Sequence, residues 1–303
     1  MISLFNNIII KTIPFIPKSI IRIISNRYIA GTTDKEALET IKLVNNKGLS
    51  ATIDILGEHT KKKAESEDIS KNYLILFDKI KDNRLDCNIS IKPSHIGSDI
   101  NDDIFSKNLQ TIHDRASKYN NFLRLDMEDS KLTDYTIEAF NNRYKVDKNI
   151  GIVIQAYLHR SHKDIKRLKE GMNIRLCKGI YNESSEIAFK KPEDINKNYL
   201  KLLKEAFENK IYVGIATHDE ELIKRAIEII NSMSINKDCF EFQVLYGVPM
   251  GNIIKKLLKS NYKVRVYIPY GINWYEYSIR RIKENPNISM YVIKNLFNKN
   301  FYK

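Results

Sequence analysis

The sequence has few cysteines and lacks the short motifs that identify several common enzyme folds. Its three cysteines, Cys87, Cys177 and Cys239, are far apart and form no CxxC pair, which argues against a disulfide framework and a zinc site. No GxGxxG, GxxxxGK(S/T), HExxH or GxSxG pattern occurs. These absences argue against a Rossmann fold, a P-loop, a zinc protease and a serine hydrolase. The histidines do not cluster apart from His159 and His162, so we expect no metal site.

Acidic residues are absent from the first 33 positions, which contain basic residues and many isoleucines. Pro14 and Pro17 interrupt this apolar stretch, and no small-residue cleavage site follows it, so neither a targeting peptide nor a membrane span is favoured. We predict a helical N-terminal extension over residues 1–48, which either packs on the rest of the chain or contacts a membrane surface. No low-complexity linker divides residues 49–303, which we expect to form one domain.

The chain carries a formal net charge of +13 at pH 7, which by itself suggests a nucleic-acid partner. The lysines are spread along the chain rather than gathered in one stripe, and Lys61–Lys63 is the only tight run. Spread charge indicates a generally basic surface that favours anionic lipid. We therefore expect no nucleic-acid partner.

Short apolar or alternating runs recur along the chain, with stretches of helical periodicity between them. Strands that alternate with helices favour parallel pairing, and eight such units predict an α/β fold of the (β/α)8 barrel type. The predicted strand segments are 49–59, 88–95, 122–129, 151–159, 172–181, 212–219, 240–247 and 263–271.

Polar or ionisable side chains lie near the end of nearly every predicted strand. Lys92 and Arg175 even lie inside otherwise apolar runs, where an unpaired charge would be costly. Because the C-terminal ends of the strands form the active-site face of a parallel barrel, these side chains predict a pocket at that face.

Two adjacent arginines, Arg280 and Arg281, lie in an amphipathic helix just past the last strand, with Tyr277 one turn earlier. Pro269 and Gly271 mark the turn that precedes the helix. A guanidinium binds a planar carboxylate through two parallel hydrogen bonds. Next to a pocket, the pair indicates a carboxylate-bearing ligand rather than a solvated helix face.

Several segments resemble the proline dehydrogenase family in their order and approximate spacing. They are LRLDMED, VIQAY, IRLCKGIY, IATHD, EFQVLYG and VYIPYG followed by YSIRRIKENP. The upstream segment YIAGTTDKEALETIKLVNNKGLSATIDILGEH resembles the monofunctional bacterial type. The resemblance implies a distorted TIM-like (β/α)8 barrel over residues 49–303 that holds FAD at the C-terminal ends of its strands. With the N-terminal helical extension predicted above, we also expect a final helix over that face.

The activity implied by the resemblance is the oxidation of L-proline to Δ1-pyrroline-5-carboxylate by a nucleotide-binding flavoprotein. A hydride passes to the flavin, and the electrons then pass to a membrane quinone. The resemblance further implies a cytoplasmic protein, with peripheral contact at the inner face of the membrane as an open alternative. A separate pyrroline-5-carboxylate dehydrogenase is expected to take up the product.

Residue by residue, the resemblance assigns three groups of side chains. Asp126 and Arg175 are the catalytic pair, with Asp126 in a charge network with Lys92 or an arginine. The substrate site is assigned to Lys92, Tyr181, Leu245, Tyr267, Tyr277, Arg280 and Arg281. The cofactor site is assigned to Met127, Gln155, Arg175, Lys178, Gly179, Ile180, Thr217, His218 and Glu284.

Three positions depart from the family pattern. Cys177 and Ile180 stand where the family more often has Val and Ala, and both keep the apolar character. Asp219 stands where Asn is usual, which adds a negative charge that would weaken a phosphate contact if the side chain pointed inward.

Two rival functions remain open at this point. One is a flavin barrel that acts on hydroxyproline or another cyclic imino acid, and Tyr277 should discriminate between these substrates. The other belongs to a different class, a basic binding protein for nucleic acid or lipid that has a catalytically inactive barrel. A salt-sensitive DNA shift in the absence of bound flavin would favour it.

Overall fold

A closed barrel of eight parallel strands forms the centre of the molecule. The computed structural model describes residues 17–248 and 250–284, apart from the side chains of Ile20, Ile24 and residues 280–284. Each strand pairs with its neighbours in sequence, and β1 closes the barrel against β8. The strands are β1 (Ser50–Ile55), β2 (Cys87–Ile91), β3 (Leu123–Leu125), β4 (Ile150–Gln155), β5 (Asn173–Cys177), β6 (Tyr212–Ala216), β7 (Phe240–Leu245) and β8 (Val264–Tyr270).

The predicted (β/α)8 barrel is thus confirmed, although the strands end earlier than the predicted segments. The difference arises because the last residues of the segments leave the sheet, and in several segments these are polar. After β2, for example, Pro93–Ile96 forms a 3-10 turn, since proline at its first position lacks the N–H that a ladder needs.

The helices of the described part of the chain are α1 (Lys18–Ser25), α2 (Asp34–Asn45), α3 (Lys63–Asp82), α4 (Asp102–Lys118), α5 (Thr133–Val146), α6 (Ser161–Lys166), α7 (Pro192–Glu208), α8 (Glu220–Ser232), α9 (Gly251–Lys259) and α10 (Trp274–Glu284). Helices α3 to α9 connect successive strands, whereas α1 and α2 precede the first strand and α10 follows the last. Within the described residues, no helix is both long and apolar enough to cross a bilayer.

The apolar core lies between the strands and the surrounding helices. Ile53 and Ile89 alternate along their strands with polar residues, and helix α3 buries Leu76 and Phe77 in the same cluster. Helix α2 contributes Ile41 to this core, so the described part of the N-terminal region packs on the barrel. The alternate strand positions point into the barrel and carry the polar groups described below.

The last helix, α10, lies at the C-terminal face of the barrel. Asn273, just before it, donates a hydrogen bond to the carbonyl of Leu56, which follows β1 (3.2 Å). The hydroxyls of Ser278 and of Ser25 in α1 are 2.7 Å apart. Helices α1 and α10 therefore pack together beside the ends of the strands, as expected for a final helix over this face.

Candidate active site at the C-terminal face of the barrel

Asp126 and Arg175 form a buried ion pair inside the barrel. Asp126 directly follows β3, Arg175 belongs to β5, and Nη1 of the arginine is 2.7 Å from Oδ1 of the aspartate. The same carboxylate accepts hydrogen bonds from Ser90 Oγ (2.6 Å) and from the Tyr267 hydroxyl (3.1 Å). The sequence predicts Asp126 in a charge network with Lys92 or an arginine, and the structure places Arg175 in direct contact.

Tyr267 joins this cluster from the opposite side, on β8. Its ring lies under the guanidinium of Arg175, 4.9 Å from the guanidinium carbon to the ring centroid. Burial, together with the negative charges of Asp126 and Asp54, holds the pKa of Tyr267 well above its usual range. The phenol is therefore neutral at pH 7 and donates its proton to the hydrogen bond with Asp126.

Lys92 follows β2 and is paired with Asp54 of β1, at 2.7 and 2.9 Å from the two carboxylate oxygens. The two residues are 8% and 1% exposed, so the pair lies almost entirely out of water. Burial opposes the charge on Lys92, but Asp54, Asp126 and Glu58 outweigh it and raise the pKa of the lysine. Lys92 is thus a charged group at neutral pH at the end of the barrel.

Asp54 was missed by the sequence analysis. Burial raises the pKa of this carboxyl, and the neighbouring Asp126 acts in the same direction, while the Lys92 ammonium opposes both. A signal was available, because Asp54 lies at an inward position of the alternating run SATIDI. An acid at such a position needs a buried partner, and Lys92 was the unpaired cation on the next strand.

Glu128 and Gln155 fix the loops that follow β3 and β2. Gln155 donates a hydrogen bond from Nε2 to the carbonyl of Glu128 (2.9 Å). The Glu128 carboxylate accepts from the backbone N–H of Ser94 (2.8 Å) and from its hydroxyl (2.5 Å). Met127 is buried in the main core beside them. The predicted cofactor residues Met127 and Gln155 therefore lie in a buried, hydrogen-bonded part of the rim.

Lys178 and Asp219 form an ion pair between the ends of β5 and β6, with Nζ 2.8 Å from Oδ2. Asp219 also caps helix α8 by accepting from the N–H of Leu222 (3.1 Å). Burial raises the pKa of Asp219, but the hydrogen bonds from Lys178 and Leu222 prevail, so the net shift is downward. The extra acid noted in the sequence therefore contacts Lys178 and partly neutralises it.

Thr217 and His218 lie in the same loop after β6. The Thr217 hydroxyl accepts from the N–H of Asp219 (3.2 Å), and Nε2 of His218 accepts from the N–H of Leu245 (2.8 Å). Because Nε2 is an acceptor, the proton of a neutral His218 is on Nδ1. His218 thus connects the ends of β6 and β7.

Gly179 allows the chain to turn sharply after β5. It has φ +105°, and a Cβ at this position would lie 2.1 Å from a ring carbon of Tyr157. Any other residue would be strained here and would clash. Ile180, the next residue, exposes 38% of its surface, and Tyr181 is half-buried. The loop therefore presents apolar side chains beside the charged rim.

Leu245 and Tyr277 come from different elements at the C-terminal face of the barrel. Leu245 ends β7 and is half-buried, whereas Tyr277 in α10 packs against Tyr28 and Leu56. The side chains of Arg280, Arg281 and Glu284 lie outside the described residues, although their backbone belongs to α10. The carboxylate clamp assigned to the two arginines and the cofactor contact assigned to Glu284 stay predictions.

A second set of charged side chains lies deeper in the barrel and was also missed. Arg124 donates from Nη1 to the carbonyls of Ile152 and Asn173, both at 3.0 Å. Burial and the nearby Arg175 lower the pKa of Arg124. Glu241 and Arg265 form an ion pair at 2.7 Å. The signal was again a charged or polar residue at every second strand position, in RLD, EFQ and RVY.

The chain matches known proteins along most of its length. A family model described as Proline dehydrogenase matches residues 37–293. The chain belongs to the proline dehydrogenase family. Within this family it is 34% identical, over 279 residues, to Proline dehydrogenase 1 of Bacillus subtilis subsp. natto, with 92% of each chain covered. It is 32% identical, also over 279 residues, to the Proline dehydrogenase of Deinococcus radiodurans, with 90% of each chain covered.

A solved relative has the same fold. The crystal structure of proline utilization A (PutA) from Bdellovibrio bacteriovorus, inactivated by N-propargylglycine, superposes with a TM-score of 0.80 at 25% identity. The superposition covers 91% of this chain and 33% of that one. Family membership confirms the resemblance that the ordered motifs indicate, and it identifies the chain as an oxidoreductase.

Proposed function

We propose that the chain oxidises L-proline to Δ1-pyrroline-5-carboxylate with FAD as its cofactor and a quinone as the final electron acceptor. The observation that carries the proposal is the buried cluster of Asp126, Arg175 and Tyr267 at the C-terminal face, next to the charged Lys92. A cluster that keeps two cations and a phenol in fixed positions is suited to a small anionic substrate. The proline dehydrogenase family supplies the identity of that substrate.

The substrate end of the site combines one cationic side with apolar walls. Lys92 stays protonated because Asp54 and other acids surround it, so in this proposal it can donate a further hydrogen bond to a carboxylate. Tyr267, Leu245 and Tyr277 supply the walls for a small saturated ring, and Tyr181 lies on the neighbouring loop. In this proposal Arg280 and Arg281 complete the carboxylate contact from α10.

The rim between β4 and β6 suits a cofactor with both an aromatic and an anionic part. The side chains there are hydrogen-bonding groups and cations, with the apolar Ile180 exposed among them. In this proposal the residues that hold FAD are Met127, Gln155, Arg175, Lys178, Gly179, Ile180, Thr217, His218 and Glu284. When bound, FAD supplies the hydride acceptor, since no protein side chain can accept a hydride.

Arg175 has a specific task in this arrangement. Its Nη1 donates hydrogen bonds to Asp126 and Ser90, and the side chain is buried in the barrel. A cation held in a dry site stabilises negative charge that develops next to it, and it needs no rearrangement to do so. Asp126 keeps the arginine in place, and Tyr267 covers one face of the guanidinium.

Helices α1 and α10 support a peripheral contact with a membrane, where a quinone is found. Lys18 lies over the ring of Tyr275 (4.8 Å), and Arg22 lies over that of Trp274 (4.6 Å). Ile272, just before α10, exposes 79% of its surface. Basic and aromatic side chains together favour the interface of an anionic bilayer. Co-sedimentation with anionic and with neutral vesicles tests this contact, and equal binding to both would contradict it.

A steady-state assay tests the catalytic proposal. The purified protein should convert L-proline to Δ1-pyrroline-5-carboxylate when a quinone analogue is supplied, and hydroxyproline serves as the competing substrate. Arg281→Met should raise the Michaelis constant for proline far more than it lowers FAD retention. Equal loss of both properties would contradict the proposed carboxylate contact, and absence of product would contradict the function itself.

A further inference from the structure

A continuous chain of hydrogen bonds runs from the deep part of the barrel to Arg175. Arg265 donates from Nε to Oε1 of Glu241 (2.7 Å), and Gln243 donates from Nε2 to the same oxygen (2.7 Å). The other end of the Gln243 amide, Oε1, accepts from Nε of Arg175 (2.7 Å). Glu241 and Gln243 are 4% and 5% exposed, so water cannot substitute for a missing partner.

The Glu241 carboxylate determines which way the Gln243 amide faces. A carboxylate has acceptor oxygens only, so the amide must turn its NH2 group toward Glu241. Its carbonyl oxygen then necessarily faces Arg175. In the reverse orientation, the NH2 group of Gln243 would face the N–H of Arg175, and its carbonyl oxygen would face the Glu241 carboxylate. Both buried contacts would then lack a hydrogen bond. One acid therefore fixes the amide, and the amide fixes the arginine.

Arg265 keeps the acid charged. Burial raises the pKa of Glu241, but the charge of Arg265 and the hydrogen bonds from Arg265 and Gln243 prevail, and the net pKa shift is downward. Arg265 is itself held by a hydrogen bond from Nη1 to the carbonyl of Ala51 (2.7 Å). The support of Arg175 thus extends back to β1.

A glycine makes room for this chain. Gly214 of β6 lies in register with Arg175 on one side and with Glu241 on the other. A Cβ at Gly214 would lie 2.4 Å from Nε2 of Gln243. Because β6 has no side chain at this level, the amide can pass across it and reach Arg175 on β5.

We propose that Gln243 is a positioning residue that sets the orientation of the Arg175 guanidinium at the cofactor. The arginine is held at two separate atoms, Nη1 by Asp126 and Nε by Gln243. Two anchors fix the plane of a guanidinium, whereas one anchor leaves it free to rotate about that bond. The proposal rests on the proposed function, because the role of Arg175 at FAD belongs to that function.

The first test follows the arginine in the protein without cofactor. In nitrogen-15 NMR spectra, the Nε–H signal of Arg175, assigned by its loss in Arg175→Lys, should exchange slowly with solvent. In Gln243→Met, which has similar length but no amide, the exchange should become at least about tenfold faster. Gln243→Asn keeps the amide but is one methylene shorter, so its oxygen should no longer reach Nε of Arg175 and the exchange should likewise become faster.

The second test measures the midpoint potential of the bound flavin. In Gln243→Met, binding of reduced over oxidised flavin should weaken about tenfold, which lowers the potential by about 30 mV for a two-electron couple. Thr52→Val is the control, because it removes a buried hydrogen bond to Asn88 inside the same barrel but outside this chain. It should leave both the potential and the Arg175 signal unchanged.

The outcomes separate the two proposals. A wild-type protein that binds no flavin contradicts the proposed function, while the NMR test of Gln243 still applies. If Gln243→Met behaves like Thr52→Val in both measurements, the positioning role is wrong. If Gln243→Met does not fold, Gln243→Asn decides the matter: slow Arg175 exchange together with a wild-type potential in that variant overturns the proposal.

Discussion

Replacing Lys92 with methionine should destabilise the fold by about 3–5 kcal/mol at neutral pH, the usual cost of breaking a buried ion pair from one side. Methionine keeps the length and apolar stem of lysine, so the change removes the charge while leaving little empty space. Asp54, 1% exposed, is then left without the cation that lies 2.7 Å from it. The buried carboxylate must either stay charged at high cost or take up a proton.

The destabilisation should also grow with pH. Burial and Asp126 both raise the pKa of Asp54, and Lys92, which opposes them, is gone in the variant. A carboxyl whose folded pKa lies above its unfolded value contributes stability at low pH, and this contribution is lost as pH rises toward the folded pKa. The free energy of unfolding of Lys92→Met should therefore fall by up to about 1.4 kcal/mol per pH unit above about pH 4.

Urea unfolding followed by far-ultraviolet circular dichroism, at several pH values between 5 and 8, measures this effect. The double variant Asp54→Asn/Lys92→Met is the matched control, since it removes both charges of this pair. It should recover most of the lost stability and show no added slope with pH. A Lys92→Met protein within about 1 kcal/mol of wild type at every pH would refute the reasoning.

Three further predictions concern the same face of the barrel. Burial and the nearby Lys92 lower the pKa of His95 to about 3. The stability that the neutral imidazole contributes is therefore present above about pH 6.5 and is lost as pH falls, by about 2 kcal/mol at pH 5. In urea titrations, His95→Gln should lack this loss. Gly179→Ala should lower the free energy of unfolding by about 1–3 kcal/mol and weaken FAD binding. Gly48, at φ +73°, has nothing within 4 Å of the position that a Cβ would take, so Gly48→Ala should show only the smaller backbone cost. Equal costs in the two variants would contradict the clash with Tyr157. Asp219→Asn keeps a side chain that can cap the helix but removes the ion pair with Lys178. In equilibrium titrations at low salt, FAD should bind up to about fivefold more tightly to this variant. Weaker binding would show that the acid is needed to place the lysine.

The barrel could be predicted from sequence because two independent patterns coincide. Eight apolar runs separated by helical periodicity give the strand count, and polar groups at the ends of those runs give the direction of the active-site face. Both patterns are local in sequence, and both follow from burial. The strand ends could not be predicted as well, since polar residues such as Lys92 extend the apparent run past the last ladder bond.

The charged pairs were harder to predict, because they depend on the register of the strands. Asp54 faces Ser90 across the β1–β2 ladder, which brings it within reach of Lys92 two residues later. Sequence gives the residue types but not this offset. Arg265 and Glu241, from different strands, likewise meet through the stagger of β7 and β8. For Asp126 the resemblance left the partner open between Lys92 and an arginine, and Ser90, which also contacts it, lies in none of the motifs.

Titration of the purified protein with L-proline under anaerobic conditions, followed by visible absorbance, tests the central claim most directly. The account predicts a flavin band in the blue that is bleached by L-proline and restored by a quinone analogue. A protein without that band after incubation with FAD, or with a band that L-proline leaves unchanged, would contradict it.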